Sequence, residues 1–259
     1  MSAYPTRIVS LAAEMPAILD ALNALDRVVG ISAYTTYPDQ ALSIPKVSGF
    51  EHGSVDRILA QQPDLVIATS TVQSKLAASL AERGATILHV NPHRLDDLYQ
   101  NIALIGAVVG ESQRAHELVQ ELQRQVDAVR QESRLVSARP RVYFEEWMDP
   151  QIAGIGWVSD LIEIAGGEDV FRERAISGRR AQDRVVTEEE WAQAAPDIML
   201  FSWCGKPFQL ETVLNRSMAH GVPAVRHGQL YAIDGSILEC GPRLVDRVRE
   251  LARIFRENA

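Results

Sequence analysis

The fold is decided by residues 95–134, which read LDDLYQNIALIGAVVGESQRAHELVQELQRQVDAVRQESR. Apolar residues recur along this stretch every three or four positions, which is the spacing of an amphipathic helix. Gly106 and Gly110 mark a soft point in the pattern, and Ser112 restarts it. A helix from Ser112 to Arg134 would be about 35 Å long at roughly 1.5 Å per residue. The stretch therefore predicts a helical connector that is stiffer than a glycine–serine linker of equal length.

A repeated pattern flanks this connector. Residues 55–67 and 188–200 each combine a short amphipathic helix, a Pro-Asp turn and an apolar run. Pro63 and Pro196, the prolines of the two turns, lie 133 positions apart. Segments that begin with an arginine and continue as a strand open both halves at nearly the same offset. The repeat predicts two similar lobes.

Within each half, short apolar runs alternate with helical patterns. The predicted strands are residues 8–11, 28–31, 65–68, 87–90, 141–145, 198–201 and 230–233. Strands that alternate with helices imply parallel βαβ units. We therefore predict an α/β fold with two Rossmann-like lobes, residues 1–93 and 138–259, joined by a rigid α-helical connector at residues 94–137. Residues 44–54 and 146–156, which hold glycine and proline, are predicted as loops.

The loops that follow the predicted strands carry most of the candidate binding residues, since ligands of parallel sheets bind beyond the carboxyl ends of the strands. The first lobe supplies Tyr34, Tyr37, Phe50 and His52, and the second supplies Trp147, Trp157, Trp203, Phe208, Glu239 and Arg243. Together they predict a broad, mostly apolar ligand face with a few polar handles. The alternative for any single ring is that it caps the core of its lobe.

Composition excludes several classes of function. The chain has 259 residues, 46% hydrophobic and 23% charged, which is typical of a soluble globular protein. A net charge of −8 gives no general attraction to nucleic acid or anionic membranes. No apolar run approaches the roughly 20 residues that a membrane span requires. The sequence starts without a signal-peptide pattern, so we expect either an exported protein whose leader has been replaced or a cytoplasmic one.

No enzyme motif is present. The sequence lacks a P-loop, a G-x-G-x-x-G after the first strand, an H-E-x-x-H and a G-x-S-x-G elbow. The acidic string at residues 188–190 is better explained as charge that complements the dipole at a helix start. Cys204 and Cys240 match no metal motif and are interpreted as two unpaired thiols, or as one disulfide if their loops meet. We predict no catalytic residue, no cofactor and no direct metal site.

Asp56 and Glu189 occupy equivalent places in the repeat, each in the first turn of a helix, and Ser54 is a predicted N-cap of the first helix. Helix-dipole complementarity alone would place a carboxylate at each position. Two symmetric lobes that each show one acid could instead present a matched pair to a basic, two-fold partner. The residues themselves leave both interpretations open.

Several segments carry a family resemblance. Residues 7–11, 28–32, 37–38, 46–49, 63–67, 166–167 and 241–243 resemble the substrate-binding proteins of ABC importers for cobalamin, haem and iron–siderophores. The resemblance covers nearly the whole chain. It implies two α/β lobes on a rigid helical backbone, with a small-molecule metal chelate bound in a cleft between them. It further implies a monomer outside the cytoplasm that delivers its ligand to a membrane permease and catalyses nothing.

Within that family the chain is most similar to the cobalamin-binding branch. Tyr34 stands where that branch has a corrin-contacting tyrosine, and Phe50 where it has a stacking tryptophan. Asp56 and Glu189 match the two acids that dock onto arginines of the membrane subunits. Other features depart from the branch, because Thr69 and Asp183 replace aromatic residues that it carries. The resemblance thus implies a corrinoid ligand and a docking role for the two acids.

Three alternatives stay open. The ligand could be haem or an anionic iron–siderophore, for which Lys206 and Arg243 are the candidate cations. The protein could instead handle corrinoids in the cytoplasm. His52 could reach the metal of a bound corrinoid or haem as an axial ligand, or it could be a loop imidazole in water.

Overall fold

The apolar runs of the first half form a parallel sheet in the computed structural model, which describes residues 3–136 and 138–258. The strands are β1 (Ile8–Ser10), β2 (Val28–Ser32), β3 (Lys46–Ser48), β4 (Leu65–Thr69) and β5 (Ile87–Val90). They lie in the order β3-β2-β1-β4-β5, and every neighbouring pair is parallel. Nearly all side chains of β1 and β4 are fully buried, because a parallel sheet is covered on both faces.

Five helices alternate with or follow these strands. They are α1 (Met15–Ala21), α2 (Val55–Leu59) and α3 (Ser74–Glu82), followed by α4 (Leu95–Val109) and α5 (Ser112–Ser133). Ile58 of α2 and Leu80 of α3 pack in a core cluster with Val9 and Val66 of the strands. The chain divides into two compact units, the first of which consists of the residues up to Pro92 together with Asp96–Leu122.

The second unit consists of His93–Leu95 and the residues from Gln123 onward. Its strands are β6 (Arg141–Met148), β7 (Gln151–Ala153), β8 (Glu168–Asp169), β9 (Ile198–Phe201) and β10 (Leu230–Ala232). They lie in the order β10-β9-β6-β7, and β8 pairs with the start of β6. Only β7 is antiparallel to its neighbour, because it turns back along the end of β6. The helices are α6 (Gly156–Ile164), α7 (Arg172–Ser177), α8 (Glu188–Ala194), α9 (Leu210–Leu214), α10 (Pro223–Arg226) and α11 (Leu244–Glu257).

The predicted α/β class is confirmed, and so are the positions of the seven predicted strands. Two of the predicted loops are wrong in part. Residues 44–54 contain β3, and residues 146–156 contain the end of β6 and all of β7. Of the predicted lobe boundaries, residues 1, 137 and 259 lie outside the described part of the chain.

The connector consists of two helices. Gly106 lies inside α4, where a Cβ would come within 2.3 Å of the Cβ of Ala115 in α5, so glycine allows the two helices to pack closely. Gly110 has a φ of +80° and ends the first helix, a conformation that glycine adopts without strain. The predicted restart at Ser112 is confirmed. Helix α5 begins in the first unit and ends in the second.

The sequence repeat corresponds to a repeated hydrogen-bond device. In the first unit the carboxylate of Asp64 accepts the backbone N–H groups of Thr6 and Arg7 at 2.8 and 2.9 Å. The guanidinium of Arg7 donates to the carbonyls of Gln61 and Gln62 just beyond the end of α2. The device thus ties the chain before β1 to the turn that leads into β4.

The second unit repeats this arrangement 133 or 134 positions later. The carboxylate of Asp197 accepts the backbone N–H of Arg141 at 2.9 Å. The guanidinium of Arg141 donates to the carbonyl of Ala194 at the end of α8. The Pro-Asp turn and the leading arginine are therefore one structural unit in each half.

Replacement of Asp64 by asparagine should destabilise the fold at neutral pH and have little effect in acid. Partial burial alone would raise the pKa of Asp64, but the N–H groups of Thr6 and Arg7 stabilise its carboxylate and hold the pKa below its ordinary value of 3.8. Because the pKa of Asp64 is lower in the folded than in the unfolded protein, its carboxylate stabilises the fold at pH values above the unfolded-state pKa. This stability is lost as the pH falls through the folded-state pKa. Thermal unfolding at pH 7 and at about pH 3 measures the difference. Equal destabilisation at both values would contradict this explanation, and the exposed Glu82→Gln is the control.

No helix within residues 3–136 and 138–258 combines the length and the apolar character that crossing a bilayer requires.

Candidate functional site

The first unit exposes three aromatic side chains beyond the carboxyl ends of β2 and β3. Tyr34, Tyr37 and Phe50 are 49%, 45% and 41% exposed. The rings of Tyr34 and Phe50 pack edge to face, with their centroids 6.1 Å apart. The structure therefore brings together two candidates that lie on different loops, because β2 and β3 are neighbours in the sheet. Exposed aromatic pairs of this kind suit a ligand with an apolar face.

A buried amide that the sequence analysis missed lies beneath these loops. Gln73 is 2% exposed, and its Nε2 donates to the carbonyls of Leu11 and Phe50 at 2.8 and 3.1 Å. Its Oε1 accepts the backbone N–H of Thr69 at 2.9 Å. One side chain thus joins the loops after β1 and β3 to the end of β4. The only signal in the sequence is its place between a strand and a predicted helix.

His52 points into solvent. Its side chain is 94% exposed, and its Nε2 lies 3.8 Å from the nearest carboxylate oxygen of Glu51. This placement agrees with a loop imidazole in water. Its role as an axial ligand stays a prediction.

Trp147 and Lys206 form a partly exposed pair in the second unit. The Nζ of Lys206 lies 4.7 Å from the centroid of the Trp147 ring, which is cation–π geometry. The indole Nε1 of Trp147 donates to the carbonyl of Asp149 at 2.8 Å. A shallow cavity of about 230 Å³ adjoins the pair and is lined by Met148, Trp203, Lys206, Pro207 and Gln209.

Trp157 and Trp203 lie inside the second unit, 7% and 4% exposed. The indole of Trp157 donates to the carbonyl of Ile237 at 2.9 Å. The ring of Trp203 packs on Phe208, which in turn stacks on Phe201. For these two tryptophans the alternative interpretation applies, namely that the ring belongs to the core of its lobe.

The buried carboxylate of Glu145 collects several donors at the end of β6. Glu145 is fully buried and accepts both guanidinium nitrogens of Arg216 at 2.7 and 2.8 Å. It also accepts the indole N–H of Trp203 at 3.0 Å and the hydroxyl of Tyr143 at 3.1 Å. Burial lowers the pKa of Arg216, but its bonds with Glu145 outweigh that effect and raise it. Burial and the charge of Glu145 both raise the pKa of Tyr143. The carboxylate of Glu145 therefore accepts from a guanidinium, an indole and a hydroxyl of the same unit.

Glu239 and Arg243 lie after β10, as predicted. The guanidinium of Arg243 donates to Asp234 at 3.3 Å, so its charge is already shared with an acid. Burial raises the pKa of Glu239, Arg243 opposes the rise and Asp234 adds to it. Glu239 is thus less readily ionised than an ordinary glutamate, which suits hydrogen bonding to a neutral polar group.

The two acids of the repeat take the same place in their helices. Asp56 and Glu189 are each the second residue, after the N-caps Ser54 and Thr187. The hydroxyls of these caps accept the N–H of Arg57 and Glu190, each at 3.3 Å. The predicted N-cap at Ser54 is confirmed, and the step of 133 residues carries it onto Thr187. Hydroxyl caps and carboxylates of the first turn together satisfy and stabilise the helix start.

The surroundings of the two acids differ. The side chain of Asp56 is 82% exposed and pairs with Arg83 at 3.0 Å. A hydrogen bond from its own backbone N–H, followed by the hydroxyl of Thr187, lowers the pKa of Glu189. Within residues 3–136 and 138–258, no arginine, lysine or histidine forms an ion pair with Glu189, which is exposed.

The acids on either side of Glu189 are held inside the unit. Glu188 accepts the hydroxyl of Ser217 at 2.8 Å and the N–H of Met218 at 3.3 Å. Glu190 pairs with Arg174 at 2.6 Å, and this hydrogen bond is the main cause of its lowered pKa. Of the three glutamates at residues 188–190, Glu189 is therefore the one whose carboxylate can pair with a group of another molecule.

Metal-binding groups are scattered. The described residues contain no cluster of three or more histidine, cysteine, aspartate or glutamate side chains that could hold a metal ion. Cys204 is exposed and Cys240 is buried, and neither forms a disulfide in the described part of the chain, so the alternative of a disulfide between them does not apply.

Two α/β units, exposed aromatic residues on loops and one acid at the same place in each unit are features of a protein that binds a ligand. Residues 8–237 match the family model of periplasmic binding proteins, and the chain belongs to that family. Its members are substrate-binding proteins of transport systems and not enzymes, so the prediction that the chain catalyses nothing is confirmed. Substrate-binding proteins of ABC importers bind small molecules and work with a membrane permease.

Individual relatives agree on the family and differ in ligand. An uncharacterised ABC transporter substrate-binding lipoprotein of Bacillus subtilis, YvrC, is 26% identical over 96% of this chain and 79% of its own length. A vitamin B12-binding protein of Vibrio parahaemolyticus is 22% identical over 96% of this chain and 89% of its own. Among solved structures, the periplasmic haem-binding protein RhuT of Roseiflexus has a TM-score of 0.84 and 26% identity, covering 97% of this chain and 98% of its own. The predicted family resemblance is confirmed, and the names of these relatives give vitamin B12 for one and haem for another.

Proposed function

We propose that this protein captures a corrinoid between its two lobes outside the cytoplasm and delivers it to the permease of an ABC importer. The observation that carries the proposal is the exposed pair Tyr34 and Phe50 at the carboxyl ends of neighbouring strands. A flat macrocycle buries its apolar face against such rings, each worth about 0.5–1.5 kcal/mol beyond the area buried. Periplasmic or lipoprotein relatives support the location.

The charges near the candidate loops favour a ligand with little negative charge. Residues 33–38, 49–53 and 70–72 of the first unit include no lysine or arginine. In the second unit Arg243 is paired with Asp234, and Arg184 with Glu146. Lys206 lies over Trp147 and forms no ion pair with any acid in the described part of the chain. An anionic ferric siderophore would find one uncommitted cation there, whereas a corrinoid with neutral amide arms needs none.

Delivery rests on Asp56 and Glu189. Their matched positions give each lobe one exposed acid, and a two-fold permease with arginines facing outward would accept both. Capture and docking then need no chemistry from the protein. We expect it to act as a monomer.

Haem is the second candidate. The haem-binding protein of Roseiflexus is similar over nearly the full length of this chain. Lys206 could also pair with a haem propionate from its place over Trp147. One lysine would satisfy one of the two propionates, so we rank haem below a corrinoid.

Calorimetry with three probes tests the ligand. The purified protein is titrated with hydroxocobalamin, haemin and a ferric siderophore at equal protein concentration. We expect hydroxocobalamin to bind at least tenfold more tightly than the other two. Tighter binding of haemin would replace the first candidate by the second, and binding of none of the three would overturn both.

Truncation of the aromatic pair should weaken this binding. The double variant Tyr34→Ala with Phe50→Ala is expected to lose about a hundredfold in affinity for hydroxocobalamin, since each ring contributes stacking and buried area. The matched control is Tyr4→Ala, which removes a ring of similar exposure that precedes β1. Equal affinities of the double variant and the wild type would show that the ligand binds elsewhere.

A further inference from the structure

Gln73 lies where a ligand-binding loop meets the sheet. Its side chain is almost completely buried, and both N–H groups of its amide and its oxygen are used. The partners are the carbonyls of Leu11 and Phe50, just beyond β1 and β3, and the N–H of Thr69, the last residue of β4. A buried polar side chain that bonds backbone groups of two loops and of a strand end fixes the distances between them.

The loop that carries Phe50 has few other attachments. At its base Ser48 and Gly53 form an isolated antiparallel bridge, and the N–H of Gly49 donates to the carbonyl of His52 at 2.7 Å. In the described part of the chain, the bond from Gln73 is the one hydrogen bond made by Phe50 itself. The base of the loop is therefore held by its own backbone, and its tip by Gln73.

We propose that Gln73 is a positioning residue for the ligand face of the first unit. By holding the carbonyl of Phe50, it fixes the direction in which the Phe50 ring leaves the loop and its edge-to-face contact with Tyr34. This role depends on one part of the proposed function, namely that the ligand binds to the face formed by Tyr34 and Phe50. It makes Gln73 a residue that sets affinity without touching the ligand.

The chemistry of the site requires an amide at position 73. Two carbonyl oxygens need two donors, and the N–H of Thr69 needs an acceptor at a fixed distance. A glutamate would place a carboxylate, which has no donor, against the carbonyl oxygens of Leu11 and Phe50 and repel them. A lysine would have donors but no acceptor for Thr69. Methionine has a similar size and makes none of these bonds, so Gln73→Met removes the bonds with little change of volume.

Hydrogen exchange tests the position of the loop without any ligand. In Gln73→Met the amides of residues 49–53 should exchange about two- to tenfold faster than in the wild type, and so should that of Thr69, which loses its acceptor, while those of β1 and of residues 65–68 change less. The control is Asn101→Leu, which removes another buried amide of the first unit, one whose Nδ2 has no hydrogen-bond partner in the described residues. Unchanged exchange in residues 49–53 would overturn the proposal, whether or not the protein binds a corrinoid.

A double-mutant cycle then tests the effect on binding, with hydroxocobalamin as the probe at a temperature where all variants are folded. Gln73→Met should weaken binding about tenfold in the wild-type background and less than about twofold in Phe50→Ala, since the two residues act through one contact. Equal losses in both backgrounds would show a general structural role and overturn the proposal. Failure of the wild type to bind would overturn the proposed ligand alone, because the exchange measurement still decides the position of the loop.

Discussion

Corrinoid uptake should fall at least a hundredfold when Asp56 and Glu189 are both replaced by alanine, while the affinity for hydroxocobalamin stays unchanged. Both acids are exposed, and both are held at the second position of a capped helix. Truncating one partner of a charge pair that is buried on docking costs about 2–5 kcal/mol, and the two losses act on one encounter. Uptake by cells and stimulation of the ATPase of the reconstituted importer measure docking, and calorimetry measures the ligand.

The matched control removes two other exposed acids, one from each unit. Glu82→Ala with Asp246→Ala makes the same change in net charge and should leave uptake near the wild-type value. Single variants should differ, because Asp56 shares its charge with Arg83, whereas Glu189 forms no ion pair in the described part of the chain. We expect Glu189→Ala to lose more uptake than Asp56→Ala. Wild-type uptake by the double variant would remove the docking role from both acids.

Sequence reasoning succeeded where local chemistry is decisive. The strands at 65–69 and 198–201 are short apolar runs after a Pro-Asp turn, and Ser54 has the hydroxyl and the following acid of a helix start. Gly110 ends a helix because its positive φ suits glycine. The repeat added evidence that single segments lack, since the same order of helix, Pro-Asp turn and strand is predicted independently in both halves.

Three strands were missed, namely β3, β7 and the two-residue β8, and the first two are strands because each pairs with a neighbouring strand. Lys46–Ser48 is three residues long and stands between a proline and a glycine, so its own residues indicate a loop. It becomes a strand because β2 offers an open edge beside it. Gln151–Ala153 is a strand because the chain turns back along β6 after Met148. The turn residues Asp149 and Pro150 interrupt the sequence, so no alternation of polar and apolar residues indicated this strand.

Burial of the tryptophans was equally beyond the sequence. Trp147 lies near the end of β6 and Trp203 just after β9, yet the first is partly exposed and the second lies in the core. The difference comes from Glu145, whose carboxylate accepts the indole N–H of Trp203 from 58 positions away. Gln73 was missed for the same reason, because its partners at Leu11 and Phe50 are distant in the chain. Exposed aromatic residues could be predicted as a group, but the polar groups that hold them could not.

Arg216→Met should destabilise the protein by about 3–5 kcal/mol, because it leaves the fully buried carboxylate of Glu145 without its cation. Tyr143 and Trp203 would remain as donors, but neither carries a charge. Denaturant unfolding followed by tryptophan fluorescence measures the loss. The exposed Arg226→Met is the matched control and should change stability by less than about 0.5 kcal/mol.

A second substitution distinguishes the missing charge partner from lost packing. Glu145→Gln in the Arg216→Met background removes the unpaired charge while Gln keeps an acceptor for the indole of Trp203, so it should restore more than half of the lost stability. No recovery would mean that Arg216 stabilises by packing alone.

The substitution Arg216→Met should also weaken docking through Glu189, because Ser217 and Met218 follow Arg216 and hold Glu188 at the start of α8. Restored stability without restored docking would show that the arginine, and not the neutral network, sets the position of that helix.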